Sequence, residues 1–154
     1  MKEHVSHDNA LYEQIALDYF LQHIFPGRDY FYNMVYYKPV IDPATSGFRL
    51  SAVGGELSAE AYQTDSSAEN PDLSGQRLVV AVPPDVKITE EHEGIEDPHA
   101  MALYLTVYTR LPLMNGHCMV DVEIHGYRFF DRFFIEINRG DNKVVNWFVT
   151  GMRF

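Results

Sequence analysis

The chain has 154 residues, of which 46% are hydrophobic and 14% aromatic, and its formal net charge is −10. This length and composition predict one domain spanning residues 1–154 and exclude a disordered chain, because enough apolar surface is present to build a core. No apolar run approaches the ~20 residues of a membrane-spanning helix, and the first residues lack the pattern of a secretory signal. We therefore expect a cytoplasmic protein without membrane contact.

The negative charge is concentrated in the middle of the chain. Between Glu56 and Asp97, eleven acidic residues stand against two basic ones, so this region carries nearly all of the net charge. A field of this sign repels nucleic acids and attracts basic proteins or cationic ligands. One hypothesis is a basic protein partner that docks on this region. The alternative is a pair of long loops kept solvated by their charges.

The first predicted element is a helix over residues 9–25, which stops at Pro26-Gly27. Its polar residues Gln14, Asp18 and Gln22 form one narrow stripe, and apolar residues cover most of the remaining circumference. A helix with this pattern must be enclosed on more than one side. We therefore expect a curved sheet that wraps around it.

The middle of the chain gives weaker signals. An aromatic-rich strand is predicted at residues 30–37, with residues 47–53 as a candidate hairpin partner. A long loop with a short helix at residues 58–62 follows, then a strand at residues 77–82 and a second acidic loop over residues 85–98.

The strongest strand signals lie in the last third of the chain. Four antiparallel strands are predicted at about residues 101–110, 117–125, 127–138 and 143–153. Together with the earlier elements they predict an α+β domain, in which the N-terminal helix is enclosed by a strongly curved antiparallel sheet of about six strands ending in a C-terminal meander. A small closed barrel plugged by the helix is the alternative architecture.

One face of this predicted meander is polar. Apolar residues from Cys118 to Ile124 alternate with Met119, Asp121 and Glu123, which is the period of a half-buried strand. If neighbouring strands present matching faces, the candidate binding residues are Tyr104, Tyr108, Arg110, Asp121, Glu123, His125, Arg132 and Glu136.

This polar set has two interpretations. On a concave surface, His125 or Asp121 could act as a general base, and Arg110 or Arg132 could bind an anion. The alternative is a wet outer face on which charges pair across strands, since antiparallel sheets commonly leave one face in water.

Signatures of cofactor chemistry are absent from the sequence. No phosphate-binding glycine loop, dinucleotide fingerprint, nucleophile elbow or His-Glu-x-x-His motif occurs, so no cofactor is expected and no catalytic residue is assigned. His92, His99 and either Glu93 or Glu96 are candidate ligands of a divalent ion, but their loop context favours a solvated segment, and no metal site is assigned. The single cysteine, Cys118, is predicted to be an inert core thiol.

The last hairpin adds a family resemblance. It contains the polar turn Gly140-Asp141-Asn142 followed by Lys143-Val144-Val145-Asn146-Trp147-Phe148. Together with the enclosed N-terminal helix, this pattern resembles the NTF2-like (cystatin-like cone) superfamily. The resemblance covers the helix and about the last fifty residues. It breaks down between Arg28 and Val82, where that superfamily usually has further helices and this sequence has aromatic strands.

The resemblance implies a cone-shaped sheet with a pocket, used for small-molecule binding, cofactor-free lyase or isomerase chemistry, or dimer formation. We prefer a non-enzymatic small-ligand-binding or homodimerising domain, because the aromatic residues are too many to bury on one side of a sheet. The alternatives are an inhibitor or immunity-type protein that binds a basic partner, and a cofactor-free lyase or isomerase using His125, Asp121 and Glu123.

Overall fold

A computed structural model describes residues 10–45, 63–68, 72–73, 75–83, 86–90 and 101–154. The N-terminal helix α1 (Leu11–Tyr19) continues through a π-helical turn (Phe20–Ile24) and a 3-10 turn (Phe25–Gly27). The strands are β1 (Met34–Tyr37), β2 (Asp42–Thr45), β3 (Ile88–Glu90), β4 (Ala102–Thr109), β5 (Leu111–Pro112), β6 (His117–Gly126), β7 (Phe129–Asn138) and β8 (Lys143–Arg153). No helix in the described ranges is long and apolar enough to cross a membrane.

The sheet is open and mixed. Its strand order is β3-β1-β4-β6-β7-β8, with β2 also paired to β4 and β5 to β6. Strands β4, β6, β7 and β8 form the predicted antiparallel meander. Strand β1 instead runs parallel to β3 and β4, and β2 runs parallel to β4. The α+β class, the helix on the sheet and the C-terminal meander are therefore confirmed, whereas the barrel alternative is not, because the strands that the structure describes do not form a closed sheet.

Two details of the early strands differ from the prediction. In the described residues the sheet has eight strands rather than about six, and β3 lies inside the predicted second acidic loop. Residues 77–82, predicted as a strand, make only an isolated bridge from Arg77 to Val40. Their main chain is instead bound by Pro39, whose carbonyl accepts from Leu78 N–H at 2.9 Å, and by a side chain of the helix. The candidate elements at residues 47–53 and 58–62 lie outside the described residues.

That side chain is Gln14, in the polar stripe of the helix. Its amide nitrogen donates to the Val79 carbonyl at 2.7 Å, and its amide oxygen accepts from the Val79 N–H at 2.9 Å. The amide thus pairs with a peptide group as a neighbouring strand would. The polar stripe therefore holds a connecting segment against the helix, which explains why that segment is extended without belonging to the sheet.

The main core lies between the helix and one face of the sheet, here called the inner face. The buried helix residues Leu17, Phe20, Leu21 and Ile24 pack in one apolar cluster with alternate residues of β4, β6 and β7. These strand residues are Leu103, Leu105, Val107, Cys118, Val120, Val122, Ile124, Phe133, Ile135 and Ile137. The intervening residues of the same strands point to the opposite face of the sheet, here called the outer face.

Candidate functional site

A row of rings crosses the outer face. The strand register places Tyr36 opposite Tyr104, Tyr104 opposite His125, and His125 opposite Phe130. The Tyr36 and Tyr104 rings stack with centroids 5.6 Å apart, and the Tyr104 and His125 rings stack at 5.1 Å. Phe154 tilts against Phe130 at 6.3 Å. Rings from four strands are therefore aligned across the outer face, because Tyr36, Tyr104, His125 and Phe130 occupy matching cross-strand positions.

A charged cluster lies beside this aromatic row. One end of the Arg132 guanidinium donates to Glu123 Oε1 at 2.8 Å, and the other end lies 3.5 Å from Asp121 Oδ2. The guanidinium carbon lies 4.6 Å from the centre of the Tyr108 ring, and the Tyr108 hydroxyl donates to Glu123 at 3.3 Å. His125 Nδ1 is 3.5 Å from the other oxygen of Glu123. The arginine is therefore fixed by two carboxylates and one ring.

This cluster holds Glu123 in its ionised form. The contact with His125 lowers the pKa of Glu123, and the contact with Arg132 lowers it further. Together they outweigh the opposing effect of burial, so that the pKa falls from 4.5 to about 2. Burial raises the pKa of Tyr108, and the charge of Glu123 raises it further. Glu123 is therefore an anion and Tyr108 a neutral hydrogen-bond donor at physiological pH.

A shallow cleft of about 650 Å³, broadly open to solvent, lies on the outer face beside these residues. Its polar lining includes Glu123, His125, Arg132 and Thr150, and its aromatic lining includes Phe130, Phe134 and Phe154. The lining residue Arg132 also has a buried nitrogen atom, Nε, without a hydrogen-bond partner among the described residues, which is unusual because buried polar atoms are normally paired. The lining of the cleft therefore combines aromatic surface with a few polar side chains.

The structure brings together six of the eight predicted site residues, namely Tyr104, Tyr108, Asp121, Glu123, His125 and Arg132. Glu136 lies on the same face but further along β7, where it pairs with Met119 in the register and its carboxylate contacts His117 Nδ1. A small apolar cluster of Leu113, Met119 and Phe134 lies on this face as well. Glu136 is therefore part of a second polar pair rather than of the cleft.

Arg110 lies away from the predicted set. Its main-chain N–H and its guanidinium bind the carboxylate of Glu13 on the helix, at 2.8, 3.0 and 2.8 Å. The guanidinium carbon also lies 4.7 Å from the centre of the Tyr12 ring. Strand β4 ends at Thr109, so the alternation that places Tyr104 and Tyr108 on the outer face does not extend to Arg110. The arginine joins the sheet to the helix.

A buried carboxylate on β7, Asp131, was missed by the sequence analysis. It accepts from the Tyr30 hydroxyl at 2.6 Å and from Arg153 at 2.7 and 3.2 Å, and Arg28 lies 3.6 Å away. Burial raises the pKa of Tyr30, and the bond to Asp131 raises it further. The sequence did contain a signal, because Asp131 occupies the apolar phase of β7 together with Phe133. Glu13, which lies outside the polar stripe of the helix, gave a similar signal.

The metal and acidic-surface hypotheses fall largely on residues that the structure does not describe. The candidate ligands His92, Glu93, Glu96 and His99 all lie in residues 91–100, outside the described ranges. In the ranges that are described, no group of three or more His, Cys, Asp or Glu side chains is placed to hold a metal ion. Of the eleven acids between Glu56 and Asp97, the structure describes Asp65, Asp72 and Glu90.

Comparison with known proteins gives no relative from which a function could be transferred, since no family model, no curated protein and no solved structure matches this chain. The site is therefore interpreted from its own geometry and chemistry.

Proposed function

We propose that the protein is a small-ligand-binding domain whose site is the outer-face cleft. The observation that supports this most strongly is the composition of the cleft. Its volume of about 650 Å³ lies within the range of roughly 300–1,000 Å³ that is usual for small-molecule sites. Such sites combine mainly apolar and aromatic walls with a few convergent polar groups, as the lining of this cleft does.

The chemistry of the lining suggests how a ligand is held. Phe130, Phe134 and Phe154 offer apolar and ring surfaces to a flat or apolar body. Glu123, an anion above a pKa of about 2, accepts hydrogen bonds from a ligand donor. Thr150 also lines the cleft, and its hydroxyl can donate to a ligand acceptor. We therefore propose a small ligand with an apolar or aromatic body and a polar end that both donates and accepts.

The positions of these groups favour a preformed site. Glu123, His125, Phe130 and Arg132 lie within the paired strands β6 and β7, rather than on loops. Arg132 is further held between Glu123 and Asp121. Groups fixed in this way lose little conformational freedom when a ligand binds, which increases the affinity that a given set of contacts provides.

The relationship to the NTF2-like superfamily, suggested by the sequence pattern, stays a prediction. The N-terminal helix on the sheet and the C-terminal meander are compatible with it. The cleft proposed as the ligand site lies on the outer face, on the other side of the sheet from the helix.

Native mass spectrometry of the protein purified from its expression host tests the binding proposal. A retained ligand would appear as extra mass that disappears on denaturation, and Phe130→Ala and Glu123→Gln would each reduce its occupancy. The matched control is Phe31→Ala, since Phe31 is 83% exposed and lies outside the cleft. If a panel of small aromatic compounds leaves no trace in the native spectra or in the melting temperature of the wild-type protein, the proposal is wrong.

A second candidate, a cofactor-free acid–base enzyme, is supported by the geometry of His125. Its Nδ1 lies 3.5 Å from the carboxylate of Glu123, and its side chain is 44% exposed. A carboxylate beside one ring nitrogen orients a histidine, which leaves the other nitrogen to move a proton. Replacing His125 with Asn should abolish turnover of a ligand that still binds. If turnover persists in that variant, His125 is not the catalytic base.

A further inference from the structure

Strand β8 forms an open edge of the sheet. It is 11 residues long and pairs only with β7 among the described strands. Several of its apolar residues are exposed, including Val145 at 48% and Met152 at 54%, and Phe154, which follows directly, is 66% exposed. Long, apolar edge strands are sites at which another strand adds to the sheet, and proteins usually protect them with proline, charged side chains or bulges. Strand β8 has a register shift before Asn146 and cations at its two ends, but its residues 147–152 include no proline and no charged residue.

The main-chain groups on this edge can be assigned by alternation. Phe154 N–H donates to the Arg128 carbonyl at 2.8 Å, which places residue 154 on the side of β7. The register between β7 and β8 is regular from Trp147 to Arg153. Since main-chain groups alternate in direction along a strand, those of residues 147, 149, 151 and 153 point to the open edge. In agreement, Trp147 N–H donates to the side chain of Asn146 at 2.9 Å.

We propose that β8 pairs antiparallel with β8 of a second copy of this chain, about a two-fold axis at Thr150. This register uses residues 147–153 of the regular stretch, which begins at Asn146. It places Trp147 opposite Arg153 and Val149 opposite Gly151 of the second copy, so that outward main-chain groups meet outward main-chain groups. On the outer face, Phe148 meets Met152 of the second copy and Thr150 meets its own equivalent. Each contact occurs twice, as a two-fold interface requires.

Charge favours this register. The charged residues of β8 are the cations Lys143 and Arg153, at its two ends. An axis at Phe148 would place these two cations opposite each other, which is unfavourable. An axis at Thr150 instead places Arg153, whose guanidinium is paired with Asp131, opposite the uncharged Trp147. The strand is therefore more complementary to itself in this register than in the one centred on its midpoint.

The interface stands independently of any ligand but adjoins the proposed ligand site. Thr150 and Phe154 line the cleft and lie on or directly after β8. In the paired arrangement, the second copy's Thr150 and Phe148 come next to the wall of this cleft. The two clefts of the dimer therefore lie on one continuous sheet surface, side by side across the axis.

Cysteine cross-linking tests the register. At a non-hydrogen-bonded antiparallel pair the Cα atoms are ~4.5 Å apart, which is within the range of a disulfide. Thr150→Cys should therefore form a disulfide-linked dimer under mild oxidation. Phe148→Cys alone and Met152→Cys alone should form no cross-linked dimer, since each residue lies about four residues, or roughly 14 Å, from the same residue of the second copy. A mixture of the two variants should form the cross-link. The native Cys118 is buried and does not compete.

Sedimentation equilibrium of the wild-type chain gives the second readout. A dimer is expected, and Thr150→Lys, which places two cations on the axis, should weaken it at least about tenfold. Gln22→Lys on the exposed face of the helix is the charge control and should not change the association. The proposal is overturned if the wild-type chain stays monomeric at ~100 µM, or if Thr150→Cys cross-links no faster than Phe148→Cys alone.

Discussion

Replacing Glu13 with Gln removes the charge from a carboxylate that is fully buried, at 0% exposure. This carboxylate accepts three hydrogen bonds from Arg110, at 2.8, 3.0 and 2.8 Å, and one of the three comes from the main chain. The pair connects the helix to the end of β4. Its loss therefore tests whether the helix is attached to the sheet by this contact or by apolar packing alone.

The magnitude follows from the geometry. Removing one partner of a buried ion pair costs ~3–5 kcal/mol, because the other charge stays buried without compensation. Glutamine conserves the volume and one acceptor oxygen, and the Arg110 side chain is 13% exposed, so water can solvate part of the guanidinium. The Tyr12 ring at 4.7 Å also remains. We therefore expect a loss near the lower end, roughly 3 kcal/mol.

Urea denaturation followed by Trp147 fluorescence measures this loss. With a slope of ~1–3 kcal/mol per molar urea, the midpoint should fall by at least about 1 M without a change in slope. Gln22→Ala on the exposed side of the helix should change the free energy of unfolding by less than about 0.5 kcal/mol. Combining Glu13→Gln with Arg110→Met should recover part of the loss, because no charge is then left buried. A single variant within about 0.5 kcal/mol of wild type would refute the argument.

Three further predictions concern other buried groups. In Gly151→Ala, the new Cβ would lie 2.0 Å from Asp131 Oδ1, so the free energy of unfolding measured with urea should fall by at least about 2 kcal/mol. The control is Gly27→Ala, because no atom lies within 4 Å of its new Cβ. Equal stability of the two variants would contradict the clash. The folded-state pKa of Glu123, about 2, lies below its ordinary value of 4.5. Its ionised form therefore contributes on the order of 3 kcal/mol to the free energy of unfolding. This contribution is fully present above pH ~5 and is lost as the pH falls towards 2. A wild-type protein whose stability falls no more than that of Glu123→Gln over this range would exclude that contribution. Burial raises the pKa of Cys118 to about 12, so a thiol reagent should label it only after unfolding, and rapid labelling of the native protein would show the assignment to be wrong.

The sequence predicted the meander because alternation is a local signal. Residues 118–124 show which side chains share a face of β6, and the turns at Gly116 and Gly140 fix the antiparallel neighbours. The parallel pairing of β1 with β4 has no such signal, since Met34 and Ala102 are distant in sequence and alternation does not encode strand direction. Strand β3 has only three residues, too few to show a period.

The candidate site followed the same logic. Glu123, Arg132 and Tyr108 come together because alternation places each of them on the same face of its strand, and the strand register then brings them into contact. Arg110 does not join these residues on the outer face, because it lies one residue beyond the end of β4. The pairing of that arginine with Glu13 depends on how the helix is placed over the sheet, which is a tertiary contact across 97 positions that no local pattern encodes.

Burial also separates the two interpretations of the outer face. A wet face with surface ion pairs would leave its carboxylates in water, yet Asp121 is 0% and Glu136 4% exposed. Buried charged groups are a poor source of stability, since apolar residues of similar volume are often as good or better. Apolar replacement of Glu123 and Asp121 together with Arg132 should therefore leave the free energy of unfolding at neutral pH near that of wild type, because no charge of this cluster is then left buried. If the cleft is a ligand site, the same replacement abolishes binding, and a variant that keeps full binding would show that the charges serve only the fold.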